Sequence, residues 1–352
     1  MKNVRYNFPV ILLAVLGLGI MGACHKDNAK PDYNANKAAL QAVIDSANTL
    51  LASIKEGNKP GDYAAGSKDT LSTTIGLASQ VSTGSTFTQQ QVDNTAGNLR
   101  RVITYVQTKV VQDVSVANLV AQWKFDGDAT DASGNGHDGT LETGLVGATA
   151  ATATDGKTLP VLVKDRFGRA DMAYQFTNGA YIEVPYSVSL NPKQFTISLW
   201  LDPQQTSAGN YIFSLDRWNG FKFQLQSNNF LFLTIATDKG IFDVDDNPGT
   251  IPLNTWTQAA VSYTNGTMKF YINGSLVKTV AISGSPVTLA NPVNLAIGNE
   301  LPKNDYNMTD TGDPNYFWGA NYFTGSLDDI RFYNTALTDA EVFSIYTIEK
   351  SL

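Results

Sequence analysis

The chain has 352 residues, a formal net charge of −7 and a single cysteine. Because an acidic surface repels phosphate backbones, we expect no nucleic-acid partner. Charged residues make up only 16% of the chain, and glycine, asparagine, serine and threonine are abundant. This composition is typical of a turn-rich β protein and argues against a mainly helical one.

The N-terminus has the layout of a secretory signal. Lys2 and Arg5 give it a basic start, and residues 10–21 form a nearly continuous apolar run that is short for a membrane span. The tetrapeptide MGAC that ends at Cys24 resembles a bacterial lipobox, which implies cleavage before Cys24 and lipidation of its sulfur. We therefore expect a signal peptide over residues 1–23 and a lipid anchor to the membrane at Cys24. The alternative is a plain secretory peptide with an incidental cysteine.

Residues 24–35 lack an apolar pattern and indicate a flexible tether. From residue 36 to residue 112, three stretches repeat apolar residues every three or four positions, which predicts amphipathic helices. Thr88, with Gln91 three residues later, fits a capping box at the start of the third. Three such helices predict a small bundle that acts as a spacer or docking module. The stripes are Leu40, Val43, Ile44, Ala47, Leu51 and Ile54; Leu71, Ile75, Ala78 and Val81; and Val92, Ala96, Leu99, Ile103, Val106 and Val110.

Beyond residue 112 the apolar period changes to two, which predicts β-strands. Asn-Gly pairs at positions 178, 265 and 273 indicate tight hairpins. Many short strands without intervening helices predict a mainly β fold, a large antiparallel jelly-roll sandwich over residues 117–350. Strands are expected at residues 119–126, 182–184, 195–201, 211–215, 221–225, 230–236, 257–263, 268–272, 293–297 and 326–333.

Several sequence blocks carry a family resemblance. They are LVAQWKFDG at 119, DASGNGHDGT at 131, FTISLW at 195, NTWT at 254, FYING at 270 and FTGSLDDIRFYNTAL at 323. In this order and spacing they resemble the laminin-G-like, concanavalin A-like lectin superfamily of bacterial surface proteins, over residues 118–346. The resemblance implies two stacked sheets with the first and last strands adjacent. It also implies binding of glycans or proteins, in many members without enzymatic activity.

The resemblance further implies a structural calcium ion where the chain ends meet. Asp126, Asp131, Asp328 and turn carbonyls of residues 133–138 would supply oxygens, of which calcium takes about six to eight. Asp328 shares strand parity with the apolar residues Ile330 and Phe332, so its carboxylate needs an ion, an arginine or backbone donors as partner. The alternative is that the aspartates of the 126–139 loop only cap turns.

Two loops have the chemistry of sugar binding, which combines aromatic faces with amides, carboxylates or arginine. Residues 216–219 separate two predicted strands, and residues 304–318 form a long insertion before the last strand. The aromatic residues of the insertion could instead fold under it as a small core. The candidate ligand-binding residues are Asp216, Arg217, Trp218, Tyr306, Tyr316 and Trp318.

Catalysis is not expected. Glycoside hydrolysis needs two carboxylic acids about 5 to 10 Å apart, and neither an E-x-D-x-E strand pattern nor a G-x-S-x-G elbow occurs in the sequence. The sequence therefore predicts a non-catalytic cell-surface lipoprotein that binds a polysaccharide through its lectin-like sandwich. The alternatives are a protein-binding adhesion or envelope assembly protein and, third, a polysaccharide hydrolase. The anchor and the Asn- and Thr-rich composition resemble proteins of Bacteroidota polysaccharide-uptake systems, which implies the outer membrane and envelope protein partners.

Overall fold

The computed structural model describes residues 31–247 and 249–351. Within these residues the chain forms four α-helices and seventeen β-strands. The predicted signal peptide, Cys24 and most of the predicted tether lie outside the described residues. In the part of the chain that is described, none of the helices has the length and apolar character needed to cross a membrane.

The three predicted N-terminal helices are confirmed as α1 (Ala38–Ser53), α2 (Ser67–Thr83) and α3 (Gln89–Gln107). Helix α3 begins at the predicted capping box. The Thr88 hydroxyl accepts the backbone N–H of Gln91, and the Gln91 side chain accepts the backbone N–H of Thr88 at 2.9 Å. The apolar stripes meet in one core, which makes the three helices a bundle. This core comprises Leu40, Val43, Ile44, Ala47, Ile54, Leu71, Ile75, Ala78, Val92, Ala96, Leu99 and Val106.

The strands follow the bundle, and all of the predicted ones are present with adjusted bounds. In chain order they are β1 (Leu119–Trp123), β2 (Thr140–Glu142), β3 (Leu145–Val146), β4 (Thr154–Asp155), β5 (Val161–Val163), β6 (Ala173–Phe176), β7 (Tyr181–Val184), β8 (Phe195–Pro203), β9 (Asn210–Leu215), β10 (Phe221–Leu225), β11 (Leu231–Thr237), β12 (Gly240–Asp245), β13 (Thr257–Thr264), β14 (Thr267–Ile272), β15 (Ser275–Val280), β16 (Leu295–Ile297) and β17 (Gly325–Tyr333).

Two large antiparallel sheets form the sandwich. One has eight strands in the order β15-β14-β13-β8-β17-β6-β5, with β1 also paired to β17. The other has seven strands in the order β12-β11-β10-β9-β16-β7-β2, and β3 and β4 form a separate small ribbon. The pairing of β1 with β17 brings the first and last strands together, as the family resemblance implies. The mainly β sandwich preceded by a three-helix bundle is thus confirmed.

Alternation along the strands places the core between the sheets. On β8 of the first sheet every second residue points inward, and the inward residues of β9 and β10 face them from the second sheet. Aromatic rings interlock across the layer, with the Phe195 and Phe221 ring centroids 4.9 Å apart. Burying each such side chain contributes about 1.5 to 3 kcal/mol to folding. These core residues are Phe195, Ile197, Leu199, Leu201, Phe213, Leu215, Phe221 and Phe223, each at most 1% exposed.

Strand β1 is shorter than the sequence predicts. It ends at Trp123, because Phe125 adopts a left-handed backbone conformation with φ 58° that no strand continues through. The Phe125 ring is nevertheless buried, edge-on to Tyr174 at 5.1 Å. Trp123 is fully buried, and its indole N–H donates to the carbonyl of His137 at 2.8 Å.

A fourth helix, α4 (Asp339–Glu349), was not predicted. It lies on the outer face of the eight-stranded sheet, where the Trp200 indole N–H donates to Glu349 Oε2 at 2.8 Å. The Tyr346 ring stacks on Trp200 at 5.8 Å, so Trp200 is covered and only 5% exposed. The bundle also contacts α4, through the Gln112 N–H bonded to Ser344 Oγ at 2.8 Å.

Candidate functional site

The two loops proposed from the sequence lie against each other. One connects β9 to β10 and the other connects β16 to β17. Arg217 Nη1 of the first donates to the Tyr316 carbonyl of the second at 3.1 Å. The Asn315 amide donates to Asp216 Oδ1 at 3.4 Å. The structure thus brings the predicted ligand-binding residues of both loops into one region beside the seven-stranded sheet.

The β9–β10 connection is a strained turn. Asp216 and Arg217 both have left-handed backbone angles, with φ 55° and 45°. Such angles cost about 1 to 3 kcal/mol each for residues with a Cβ atom. A Cβ atom on Gly220 would lie 2.3 Å from the Leu215 carbonyl oxygen, so only glycine fits where the turn closes. The strain must be offset by what the Asp216 and Arg217 side chains contact.

Arg217 is the buried centre of the two loops. Only 1% of the residue is exposed, and its Nη2 lies 3.0 Å from Oε1 of the fully buried Glu300. Its guanidinium lies over the Trp218 ring at 4.5 Å and near the Tyr306 ring at 5.6 Å. Burial raises the pKa of Glu300, and the Arg217 charge pulls that pKa back down. Arg217 therefore fixes the positions of the surrounding side chains from beneath the surface.

Asp216 is also covered, with 3% of the residue exposed. Burial raises the pKa of its carboxyl, and the amides of Asn219 and Asn315 oppose that change by hydrogen bonding. Asp216 and Arg217 thus hold the two loops together. Their direct contact with a ligand stays a prediction.

Sequence reasoning missed a buried lysine next to this pair. Lys222 Nζ donates to Tyr211 Oη at 3.3 Å and to Gln224 Oε1 at 3.2 Å. It also lies over the rings of Trp218 at 4.6 Å and Phe232 at 5.8 Å. Burial lowers the pKa of Lys222 to about 8. Strand parity contained the signal, because a lysine between the core residues of β10 must point to the outer face of the sheet.

The second loop divides its aromatic residues between a small core and the surface. Phe317 is fully buried and meets Tyr306 edge-on at 5.1 Å. Trp318 is 59% exposed, and the Tyr316 ring supports it edge-on at 4.7 Å. Phe317 therefore belongs to the small core that was one alternative, while contact of the exposed Trp318 with a ligand stays a prediction. Trp218 has intermediate exposure, and its ring lies against the charged groups of Arg217 and Lys222.

The aspartates proposed for calcium make other contacts in the structure. Asp131 Oδ1 accepts the backbone N–H groups of Gln122 and Ser133, both at 2.9 Å. Its Oδ2 accepts the His137 N–H at 3.0 Å. Burial opposes ionisation of Asp131, but these hydrogen bonds lower its pKa overall. Asp131 therefore caps its turn, while Asp126 is exposed on the same loop.

Asp328 does not have the strand parity that the sequence suggested. A bulge between Asp328 and Arg331, with Asp329 at φ 46°, places Asp328 opposite Trp200 on the outer face of the sheet. Its partner there is Arg166, with Nη1 2.5 Å from Asp328 Oδ2. Among the described residues, no group of three or more histidine, cysteine, aspartate or glutamate side chains is placed to hold a metal ion. Calcium binding by Asp126, Asp131 and Asp328 stays a prediction.

Comparison with protein families agrees with this architecture. Residues 176–343 match the family model of the concanavalin A-like lectin/glucanases superfamily. The sandwich contains a concanavalin A-like lectin/glucanase domain. The matched range of this lectin/glucanase-like domain starts at the last residue of β6 and ends within α4, so it includes both loops of the site. No curated protein matches the sequence at a significant level.

Solved structures with a similar fold have low sequence identity. Domain 4 of AbnA, an extracellular GH43 arabinanase from Geobacillus stearothermophilus solved with arabinotriose, is 23% identical, with a TM-score of 0.47, over 65% of this chain and 98% of that one. The botulinum neurotoxin serotype G binding domain is 17% identical, with a TM-score of 0.45, over 66% of this chain. A structure of botulinum neurotoxin type C, a toxin whose cell entry depends on interaction with two ganglioside molecules, is 15% identical with a TM-score of 0.43. The chain spans about half the length of these toxin structures, 52% and 51%.

Proposed function

We propose that this protein is a non-catalytic, lipid-anchored surface protein that binds a polysaccharide through the lectin/glucanase-like sandwich. The observation that carries the proposal is the exposed Trp318 ring, supported by Tyr316 on a loop that the buried Arg217–Glu300 pair holds in place. A flat aromatic face packs on the C–H surface of a pyranose. A ring held in place before binding loses little conformational freedom when the sugar arrives.

The same loop supplies polar groups for sugar hydroxyls. Asn304, Thr309 and Asp310 are exposed along it, and Asn307 and Asn315 are half-buried. Internal hydrogen bonds order the loop, since Asn307 Oδ1 accepts the backbone N–H groups of Thr309 and Asp310, both at 2.9 Å. An aromatic face beside amide and carboxylate groups is the combination that sugar recognition uses.

The two buried carboxylates of the site, Glu300 and Asp216, support binding without catalysis. A general acid must come within hydrogen-bond distance of the glycosidic oxygen. Glu300 is fully buried beside Arg217, and Asp216 is 3% exposed and hydrogen-bonded to two amides. Neither carboxyl is presented to a polymer on the surface. Measurement of product release from a polysaccharide panel tests the hydrolase alternative directly.

Substitution of Trp318 tests the binding proposal. We expect Trp318→Ala to weaken glycan binding at least about tenfold, which corresponds to the roughly 1.4 kcal/mol of one aromatic contact, without changing Tm. A glycan array would select the polysaccharide, and affinity electrophoresis would give the Kd. Tyr33→Ala is the matched control, because Tyr33 is an aromatic residue 47% exposed outside the sandwich. Unchanged affinity in Trp318→Ala, or a broad array without any binding, contradicts the proposal.

Protein binding is the second candidate, favoured by the exposure of Met308 together with Trp318 on one loop. Methionine and tryptophan are both frequent in protein interfaces. A pull-down from envelope extracts with and without competing sugar distinguishes the two functions. Capture that sugar does not displace, but that Trp318→Ala abolishes, favours the protein partner.

The lipid anchor is a separate part of the proposal. We expect Cys24→Ser to abolish labelling of the protein by a fatty-acid analogue and to move it from the membrane fraction to the soluble fraction. Protease treatment of intact cells tests whether the sandwich lies on the outer surface. Membrane retention of the unlabelled Cys24→Ser protein would contradict lipidation at this residue.

A further inference from the structure

A buried carboxylate without a partner lies outside the site described above. Asp246 directly follows β12 and is fully buried. Neither of its carboxylate oxygens has a hydrogen-bond partner among the described residues. Its backbone is well fixed, because the Asp246 N–H donates to the Leu231 carbonyl at 2.9 Å. An ionised carboxylate held this way is strongly unfavourable unless something compensates its charge.

A second orphaned oxygen lies on the neighbouring turn. Asn229 is 3% exposed and precedes β11 in a left-handed conformation, with φ 55°. Its amide nitrogen donates to the Ile251 carbonyl at 3.0 Å, which leaves Asn229 Oδ1 buried without a partner in the described chain. The Ile251 N–H donates to the Asn229 carbonyl at 3.0 Å. These bonds, with the one between Asp246 and Leu231, tie the segment after β12 to the start of β11 at two points.

The three unpaired atoms, which are the two carboxylate oxygens of Asp246 and Asn229 Oδ1, are all hydrogen-bond acceptors. The nearby cation, Lys278, pairs with a different carboxylate. Lys278 Nζ lies 3.1 Å from Asp245 Oδ1 and forms its ion pair there.

The Asp246 carboxylate packs directly against Gly249. A Cβ atom on residue 249 would lie 2.1 Å from Asp246 Oδ2. Glycine at this position therefore lets the carboxylate lie where the Cβ atom of any other residue would be.

We propose that Asp246 and Asn229 bind a hard cation of the calcium class. Carboxylate and amide oxygens are the ligands that calcium prefers, and backbone carbonyls and water complete such sites. A thiol- or imidazole-seeking metal has no ligand in this set of atoms. This site shares no residue with the one predicted at Asp126, Asp131 and Asp328, and it does not depend on the proposed polysaccharide function.

The test is calcium-dependent thermal stability of the mature protein after treatment with a chelator. We expect calcium chloride to raise Tm by about 3 °C or more at saturation, because a ligand that binds only the folded state stabilises it. Asp246→Asn keeps the shape of the side chain and removes its charge, and should abolish the rise. Asp245→Asn is the matched control, since Asp245 is adjacent in sequence and paired with Lys278. It should keep the rise.

Two further variants keep the result decisive. Gly249→Ala places a Cβ atom against Asp246 Oδ2, which displaces the carboxylate, and should weaken calcium binding at least about tenfold in calorimetric titration, even if Asp246→Asn does not fold. Asp131→Asn should leave the response intact, which separates this site from the one predicted at Asp131. The proposal is overturned if calcium does not change Tm, or if Asp246→Asn keeps the full rise. It is also overturned if Asp131→Asn alone abolishes the rise.

Discussion

Arg217 illustrates how single residues organise the site. Its backbone is left-handed and its side chain is buried between two aromatic rings beside Glu300. A buried ion pair gains little net free energy, but removal of one partner leaves the other charge uncompensated. The pair is thus better understood as a device that fixes loop geometry than as a source of stability.

We expect Arg217→Ala to lower the free energy of unfolding by about 3 to 5 kcal/mol, because Glu300 would remain buried without its partner. The double variant Arg217→Ala/Glu300→Ala should cost less than the sum of the two single variants. Urea denaturation of all four proteins measures this coupling. Lys278→Ala is the control, since its partly exposed pair with Asp245 should contribute less than about 1 kcal/mol. If the double variant loses the sum of the free energies of unfolding that the two single variants lose, Arg217 and Glu300 are not coupled.

At the scale of elements, helix α4 is held to the sheet by a buried charge cluster. Arg166 pairs with Asp328 at 2.5 Å and with Asp329 at 2.7 Å. Arg331 pairs with Glu349, the last residue of α4, at 2.6 Å. This cluster has three carboxylates and two guanidinium groups, so one negative charge is left over. Burial together with this excess raises the pKa of Asp328 to about 8 and that of Glu349 to about 7.

The cluster should make stability depend on pH. The folded pKa of Glu349 is raised above its ordinary value of 4.5. The contribution of this group to the free energy of unfolding is therefore complete below pH 4.5 and is lost as pH rises through about 7. We expect the free energy of unfolding to fall by up to about 1.4 kcal/mol per pH unit across this window. Denaturation at a series of pH values measures the slope. Glu349→Gln removes one of the two carboxyls with a raised pKa and should make the slope shallower, and an equally steep slope in that variant would refute this explanation.

At the scale of the whole molecule, the described residues form three separate apolar clusters. One lies inside the helical bundle, a second lies between the two sheets, and a smaller third lies between the eight-stranded sheet and α4. The contact between the bundle and the sandwich is narrow in the described residues: the Gln112–Ser344 hydrogen bond is joined by Lys109 Nζ, which lies over the Phe343 ring at 4.3 Å. Parts joined through so few contacts are expected to unfold with limited coupling.

Paired leucine substitutions test this independence. Leu99 in the bundle and Leu199 in the sandwich are both fully buried. Each leucine-to-alanine change should cost its own part about 2 to 5 kcal/mol. In scanning calorimetry, Leu99→Ala should shift the transition of the bundle and leave that of the sandwich in place, and Leu199→Ala should do the reverse. A common shift of one transition in both variants would show that the molecule unfolds as a single unit.

Local sequence patterns predicted the elements whose signals are local. The helical period and the Thr88–Gln91 capping box located α3, and period-two alternation located β8, because buried side chains must recur with the period of the backbone. The sequence before helix α4 contains the same kind of signal, a capping box from Thr338 to Glu341, but the helix was not predicted from it. The bulge at Asp329 had no local signal and reversed the parity expected for Asp328.

By itself the sequence determined the helical bundle, the two-layer antiparallel sandwich and the two loops with aromatic and polar side chains, since period, turn residues and composition act over a few neighbouring positions. Only the tertiary structure decided that Trp318 is exposed while Phe317 is buried, that Arg217 meets Glu300, and that Arg166 pairs with Asp328. Those outcomes join residues 83 and 162 positions apart for the two ion pairs, and desolvation and pairing of charges over such separations depend on how the whole chain packs.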